Sequence, residues 1–185
     1  TASPNDNSSV SITNNNISNF SGTTACGINI GTGNSAWTIT GNSFFQTAAL
    51  TTASTMYGIQ IVNTTGGNFT VSNNYFGGNA SALTGSAISG TWTANTSGLV
   101  YNFCAISVSL ASSPANTISG NIIQNYSIVT GTALQTAPSA FCGIYMINSG
   151  GSSVTGNTVG SSTSAGNISV SFSTNALCSV YGIYV

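Results

Sequence analysis

One short pattern, repeated five times, constrains the fold of this chain more than any other feature. The pattern is [Ile/Val]-[Ser/Thr]-[Gly/Asn]-Asn, followed by any residue and then by Ile, Val or Phe. Its copies span residues 12–17, 39–44, 71–76, 118–123 and 154–159. Self-similarity at intervals of tens of residues is typical of repeat architectures, so the chain is expected to stack similar units.

A second pattern alternates strictly with the first. It reads [Cys/Tyr]-[Gly/Ala]-Ile, then any residue, then Ile, Val or Met, at residues 26–30, 57–61, 104–108, 142–146 and 181–185. Both patterns alternate apolar and polar residues, which predicts strands with one buried face. The predicted buried columns are Ile12, Ile39, Val71, Ile118 and Val154, and Ile28, Ile59, Ile106, Ile144 and Ile183.

The third position of the first pattern and the spacing of the two patterns shape each repeat. Gly and Asn tolerate left-handed backbone angles, so the Gly-Asn or Asn-Asn pair predicts a sharp corner. From the second pattern to the next first pattern the spacing is 10 to 12 residues, whereas from the first to the second it is 16 to 35. We therefore predict an all-β solenoid of about five coils over residues 10–185, with variable loops on one side and a lead-in at 1–9.

The paired motifs resemble the right-handed parallel β-helix repeats of secreted bacterial proteins, especially the very large surface and adhesin-like proteins of Bacteroidota. The resemblance covers roughly Val10 to Val185. It implies a right-handed parallel β-helix, an extracellular or cell-surface location and a stacked ladder of Asn side chains at a corner. Amide side chains one repeat apart, about 4.8 Å, can hydrogen-bond along such a stack. The residues that match the ladder are Asn15, Asn42, Asn74, Asn121 and Asn157.

The near absence of charge restricts the chemistry of the chain. It contains no Lys, Arg or His, and Asp6 is its one acidic side chain. The pectate lyases and polygalacturonases that share the resembled fold need carboxylates, and often a basic residue, at their sites. Ser, Thr, Cys and Tyr have no His or Lys to activate them here. We therefore predict no catalytic residues, no enzyme activity and no cofactor for this segment.

The same composition limits the partners. Without cations the chain cannot neutralise nucleic-acid phosphates or anionic membrane surfaces, and no apolar stretch reaches the roughly 18 residues of a membrane helix. A net charge near zero opposes self-association only weakly. Because the last motif, at 181–185, shows no polar cap, we predict end-to-end self-association or continuation into neighbouring repeats of the same chain.

The four cysteines show no CxxC spacing, and no His completes a zinc site, so a metal site is not expected. Cys26, Cys104 and Cys142 share parity with the inward Ile of their motif, which predicts a buried thiol stack. The alternative in an oxidising compartment is a disulfide from Cys104 to Cys142 or from Cys142 to Cys178.

Two surfaces are candidates for ligand binding. The hydroxyl residues that flank the first strand resemble the Thr-x-Thr face of β-solenoid ice-binding proteins, although Ser and Thr also suit any uncharged exposed strand. The aromatic residues of the variable segments, Trp92, Tyr101, Phe45 and Phe172, suit glycan binding or, alternatively, satellite cores. The hydroxyl pairs are Ser11 and Thr13, Thr38 and Thr40, Thr70 and Ser72, Thr117 and Ser119, and Ser153 and Thr155.

A structural role is the leading functional prediction. The chain is expected to be a non-catalytic extracellular protein, either a β-solenoid filament subunit or a segment of a surface adhesin stalk. The alternative is a ligand-binding solenoid that uses the hydroxyl face for ice or the aromatic loops for glycans.

Overall fold

The structure, a computed structural model, describes residues 7–83, 87–110, 115–132, 138–147, 151–161, 167–174 and 178–185. Every helix or strand assigned within these ranges is a β-strand. The strands pair in parallel. The prediction of an all-β chain is therefore confirmed, and the arrangement in parallel sheets is compatible with a β-solenoid. Asp6 lies outside the described residues, and the short strand Asn7–Ser8 of the lead-in pairs with Asn34–Ser35.

The first sheet contains one short strand from each of the five repeats. The side chains of Ile39, Val71 and Ile118 are fully buried, while Ile12 and Val154 on the two outer strands are half-buried. These five residues lie in one register, so every repeat adds an aliphatic side chain to the same column. The strands are Ser11–Thr13, Thr38–Thr40, Thr70–Ser72, Thr117–Ser119 and Ser153–Thr155.

A tight corner leads from the first sheet into the second. The third residue of the first pattern has a positive φ in all five repeats, between 53° and 67°. Only Asn and Gly occupy this position, because other side chains are strained in the left-handed region. The corner residues are Asn14, Gly41, Asn73, Gly120 and Gly156.

The second sheet also has five strands, and its inward column contains two stacked phenylalanines. The rings of Phe44 and Phe76 stack with centroids 4.5 Å apart and an interplanar angle of 8°. Ile17, Ile123 and Val159 complete the column in register. The strands are Asn16–Ser18, Ser43–Phe45, Tyr75–Phe76, Ile122–Ile123 and Thr158–Val159.

The third sheet is built from the second pattern. Ile28, Ile59, Ile106 and Ile144 are buried in one register, and Ile183 continues the column on the last strand with 48% of its surface exposed. The strands are Thr24–Ile30, Ser54–Asn63, the second part of Trp92–Leu110, Phe141–Ile147 and Val180–Tyr184.

Each strand of the third sheet changes its inward parity at the Gly or Ala of the motif. Phe103 and Ala105 belong to the main core before this point, and Ile106 and Val108 belong to it afterwards. The residue at this point is small, Gly in four repeats and Ala in the third, and in the glycine repeats the missing side chain leaves room for the second sheet. A Cβ added to Gly58 would lie 2.6 Å from the ring of Phe76 in the next repeat.

The variable side of the repeat is not made of loops alone. The first part of the 19-residue strand Trp92–Leu110 pairs with Tyr126–Thr132, which in turn pairs with Ile168–Phe172. This fourth group of parallel strands buries Trp92, Ala94, Tyr126 and Ile128 in the main core. The variable segments thus contribute part of the core in addition to projecting from it.

Candidate functional site

The five Asn residues of the first pattern form one continuous column of amide hydrogen bonds. The Nδ2 of Asn15 donates to the Oδ1 of Asn42, and the Nδ2 of Asn42 donates to the Oδ1 of Asn74, both at 3.0 Å. The column continues from Asn74 to Asn121 at 3.0 Å and from Asn121 to Asn157 at 2.8 Å. Because Asn42, Asn74 and Asn121 are fully buried, these hydrogen bonds are shielded from competing water.

Each amide also fixes the backbone of its neighbours. The Oδ1 of Asn74 accepts a second hydrogen bond from the backbone N–H of Asn42 at 2.9 Å, and its Nδ2 donates to the carbonyl of Ile39 at 2.9 Å. The same contacts recur at Asn121. The ladder has one direction, because each of the first four Asn residues donates to the Oδ1 of the Asn in the repeat that follows it in the chain.

The hydroxyl residues of the first sheet lie in two registered columns. Ser11, Thr13, Thr117, Ser153 and Thr155 are exposed. In the middle of the face a hydroxyl group is hydrogen-bonded within the protein, because Thr40 Oγ1 donates to the carbonyl of Ser72 at 2.7 Å. Thr38 and Thr70 are half-buried. Ice binding by this face stays a prediction, and the single hydroxyl hydrogen of Thr40 is already donated within the protein.

The thiol column lies outside the main core, contrary to the parity prediction. Cys104 and Cys142 are fully buried, but they cluster with Tyr57 and with the half-buried Cys26, Tyr145 and Tyr181, apart from the main core. The reason is the parity change in each strand of the third sheet. The residue before the Gly or Ala faces the opposite side from the Ile after it.

The register also restricts which thiols can meet. Cys104 pairs with Cys142, whereas Cys142 pairs with Tyr181 on its other side. A bridge from Cys142 to Cys178 is therefore not favoured, because Cys178 precedes the last strand and is not opposite Cys142. All four cysteines are free in this structure. Burial raises the pKa of the Cys104 thiol well above its usual value, and burial also raises the pKa of Cys26.

We expect two of the four thiols to be protected in the folded chain at pH 8. The thiolate is the reactive form, so the burial and raised pKa of Cys104 slow its reaction, and its fully buried neighbour Cys142 is shielded from the reagent. Cys26 and Cys178 are half-buried and should react first. Mass spectrometry after labelling by an aromatic disulfide, with and without guanidinium chloride, measures this. Equal labelling of all four thiols in the folded chain would contradict the assignment.

Trp92 does not form part of a ligand surface, and that prediction is corrected. Its side chain is fully buried, as are those of Tyr101 and Phe103. The Trp92 ring packs against Phe103 and Tyr126 at centroid distances of 5.1 and 5.3 Å. Trp92 is buried because its strand joins the sheet stack instead of forming a surface loop. Of the four variable-segment aromatics, only Phe172 is substantially exposed, at 38%.

The fifth repeat leaves an open cavity at its end of the core. It has a volume of about 350 Å³ and is lined by Phe141, Val159, Ile168, Val180 and Gly182. We call it the terminal cavity. In earlier repeats the space beside the motif glycine is filled, since a Cβ on Gly27 would lie 2.8 Å from the Phe44 ring and one on Gly143 would lie 3.0 Å from Val159. Beside Gly182 nothing lies within 4 Å. The small residue, Gly or Ala, at the second position of every second motif is the part of the sequence that could have indicated this close approach of the second sheet.

Few groups that could carry out chemistry come together in the described part of the chain. No cluster of three or more His, Cys, Asp or Glu side chains that could hold a metal ion occurs there. Nor does any helix among those residues have the length and apolarity needed to cross a membrane. No protein-family model, curated protein or solved structure matches this chain.

Proposed function

We propose that this chain is a non-catalytic structural segment, a right-handed parallel β-helix that serves as a filament subunit or an adhesin stalk in an extracellular or cell-surface setting. The right-handed winding is supported by the parallel pairing of equivalent strands in successive repeats. Connections between parallel strands of one sheet are right-handed in about 98% of cases. The extracellular setting rests on the resemblance of the motif pairs to secreted repeat proteins.

The unbroken amide ladder is the observation that carries this proposal. It joins every repeat to the next through hydrogen bonds between Asn side chains, which are buried in the middle repeats and partly buried in the two outer ones. Such a column resists sliding or splaying of the repeats, because each displacement would leave buried donors and acceptors without partners. A stalk or filament needs this kind of axial rigidity and needs no reactive side chain.

The absence of charge supports association between copies of the chain. With no Lys, Arg or His and a formal net charge of −1, little repulsion opposes close contact. Ile183, Val180 and Val185 at the last strand are exposed apolar residues, at 48%, 51% and 79%. We therefore propose that the last strand contacts either another copy of the chain, end to end, or neighbouring repeats of the same chain.

Placing a charge at the last strand is expected to prevent that association. Ile183→Lys puts an ammonium group where a neighbouring copy would dock, and its burial there would be costly. Val62→Lys is the matched control, because Val62 is 46% exposed but lies on a middle strand. Sedimentation velocity and electron microscopy of the 185-residue chain should show elongated assemblies for the native chain and for Val62→Lys, and monomers for Ile183→Lys. A native chain that stays monomeric at high concentration would rule out the end-to-end proposal.

A further inference from the structure

Two fully buried thiols lie side by side on the face of the third sheet that points away from the main core. Cys104 on the strand Trp92–Leu110 is in register with Cys142 on the strand Phe141–Ile147. Neighbouring strands of a sheet are about 4.8 Å apart, and the Cα atoms that a disulfide joins are about 4.4–6.8 Å apart. The backbone therefore holds these two residues at a separation that a disulfide can span.

The two side chains also contact each other. Cys104 and Cys142 belong to one buried cluster with Tyr57. Burial raises the pKa of the Cys104 thiol, and the interaction with the neighbouring Cys142 side chain raises it further. Registered cysteines whose side chains diverge cannot be bridged without backbone movement. Here the side chains meet, so a bridge requires no such movement.

Among the described residues, the other thiols are not opposite either member of this pair. Cys26 is in register with Tyr57, which is in turn in register with Cys104, so two strand steps, about 9.6 Å, separate Cys26 from Cys104. On the other side, the residue in register with Cys142 lies three positions after Cys178. Of the two bridges that the sequence allows, the register favours the one between Cys104 and Cys142.

The surroundings of the pair suit a neutral disulfide better than a thiolate. Three tyrosines pack around Cys104 and Cys142, and the whole chain contains no Lys, Arg or His that could stabilise a negative charge. Burial penalises an ionised thiol, whereas a disulfide carries no charge. Oxidation gives up the hydrogen bond that Cys104 Sγ donates to the carbonyl of Ile106 at 3.3 Å, which is a small loss because a thiol is a weak donor.

From these contacts we infer that Cys104 and Cys142 form a modification site, at which a low-molecular-weight disulfide oxidises the two thiols to a bridge between the third and fourth repeats. In the first step the thiolate of one cysteine attacks the small disulfide, forms a mixed disulfide and releases one small thiol. The second cysteine then attacks the protein sulfur of that mixed disulfide and releases the other small thiol. The two protein thiols lose two electrons and two protons in total, and the small disulfide gains them.

The bridge closes a covalent loop around one whole turn of the chain. Residues 104–142 contain a complete copy of the first pattern, including Ile118 and Asn121. Because each repeat of a solenoid contacts mainly its neighbours, single repeats can open locally. A covalent bond between the third and fourth repeats restricts that opening. The supply of an oxidant rests on the proposed extracellular setting, whereas the geometry of the bridge does not.

Refolding of the reduced chain tests this site. The chain is unfolded in guanidinium chloride with a reducing agent, which makes the thiols accessible, and is refolded in a mixture of oxidised and reduced glutathione. Remaining thiols are alkylated, and chymotrypsin, which cleaves after aromatic residues such as Tyr126, separates Cys104 from Cys142. Mass spectrometry then identifies the linked peptides. We expect about tenfold more of the link between Cys104 and Cys142 than of any other, because the fold holds only these two thiols together.

Cys26→Ser with Cys178→Ser is the matched control, since it keeps only the inferred pair and should form the same link. Cys142→Ser should leave Cys104 unlinked to the other two cysteines. The oxidised native chain should unfold with an equilibrium constant about a hundredfold smaller than that of the reduced chain. Alkylation of both thiols in the refolded chain, or equal amounts of links that involve Cys26 or Cys178, would overturn the site. A chain that forms the link on refolding but carries both thiols free when isolated from the cells that make it would instead contradict the proposed extracellular setting.

Discussion

Replacing Ile118 with Asp is expected to cost about 4 kcal/mol or more of unfolding free energy, because a carboxylate would be buried without a partner. Ile118 is fully buried in the fourth repeat, with Val71 and Val154 beside it in register. The described residues around it provide no cation that could pair with a new charge, as the whole chain contains no Lys, Arg or His.

Thr117→Asp is the control for Ile118→Asp, since Thr117 is the preceding residue of the same strand and is exposed. Its effect should stay within about 0.5 kcal/mol, which is usual for surface substitutions. Urea unfolding followed by circular dichroism measures both variants. Equal midpoints for the two variants would show that the first-sheet column is not the core.

Removing one amide from the middle of the ladder should have a comparable effect. Asn74→Ala eliminates the hydrogen bonds to Asn121 and to the carbonyl of Ile39, and it deprives the Asn42 amide and backbone N–H of their acceptor. With several buried groups left unsatisfied at about 1–3 kcal/mol each, we expect a total loss of roughly 4 kcal/mol.

Asn15→Ala provides the comparison for Asn74→Ala. Asn15 is exposed at the start of the ladder, and among the described residues its side chain donates only to Asn42 and to the carbonyl of Thr13. Water can replace these contacts, so the loss should be about 1 kcal/mol. Thermal unfolding gives the stabilities, and hydrogen exchange at the Asn42 amide reports the ladder directly. If both alanine variants melt together, the buried ladder contributes no more than a surface hydrogen bond.

The sequence was most informative where structure follows from a few neighbouring residues. The corner of the first pattern needs only a residue that tolerates positive φ, and both Asn14 and Gly41 adopt this conformation. Ile39 and Asn42 are three residues apart within such a unit, so the burial of one fixes the position of the other. For this reason a motif of six residues was enough to anticipate parallel strands in five repeats.

The direction of the cysteine side chains could not be predicted from the sequence in the same way. Alternation assigns parity correctly only along a straight strand, and the third-sheet strands change parity at the Gly or Ala of the motif. Cys104 consequently faces away from the main core although Ile106 faces into it. The sequence contains a small residue at this position in every repeat, but its role depends on contacts with another sheet, such as the Phe76 ring that approaches Gly58.

Trp92 illustrates a second limit of the sequence. Its segment shares no motif with the other repeats, so no repetition indicated that it pairs with Tyr126–Thr132. Burial of Trp92 depends on contacts with residues distant in sequence, such as Phe20 at a ring distance of 5.6 Å. From the sequence alone, an aromatic residue among Ser, Thr and Asn could equally have lain in a surface loop or in the core. The tertiary contacts place Trp92 in the core.

The segments between the motifs differ in length, and this variation affects how the sequence can change during evolution. Adjacent strands are separated by hydrogen-bonding geometry, about 4.8 Å per repeat, whatever number of residues connects them. The long segment from Val71 to Ile106 and the short one from Ile12 to Ile28 therefore advance the chain by the same distance. The length of the protein along its axis is counted in copies of the motif, not in residues. Insertions and deletions on the variable side can thus alter the surface while the span between the two ends stays constant.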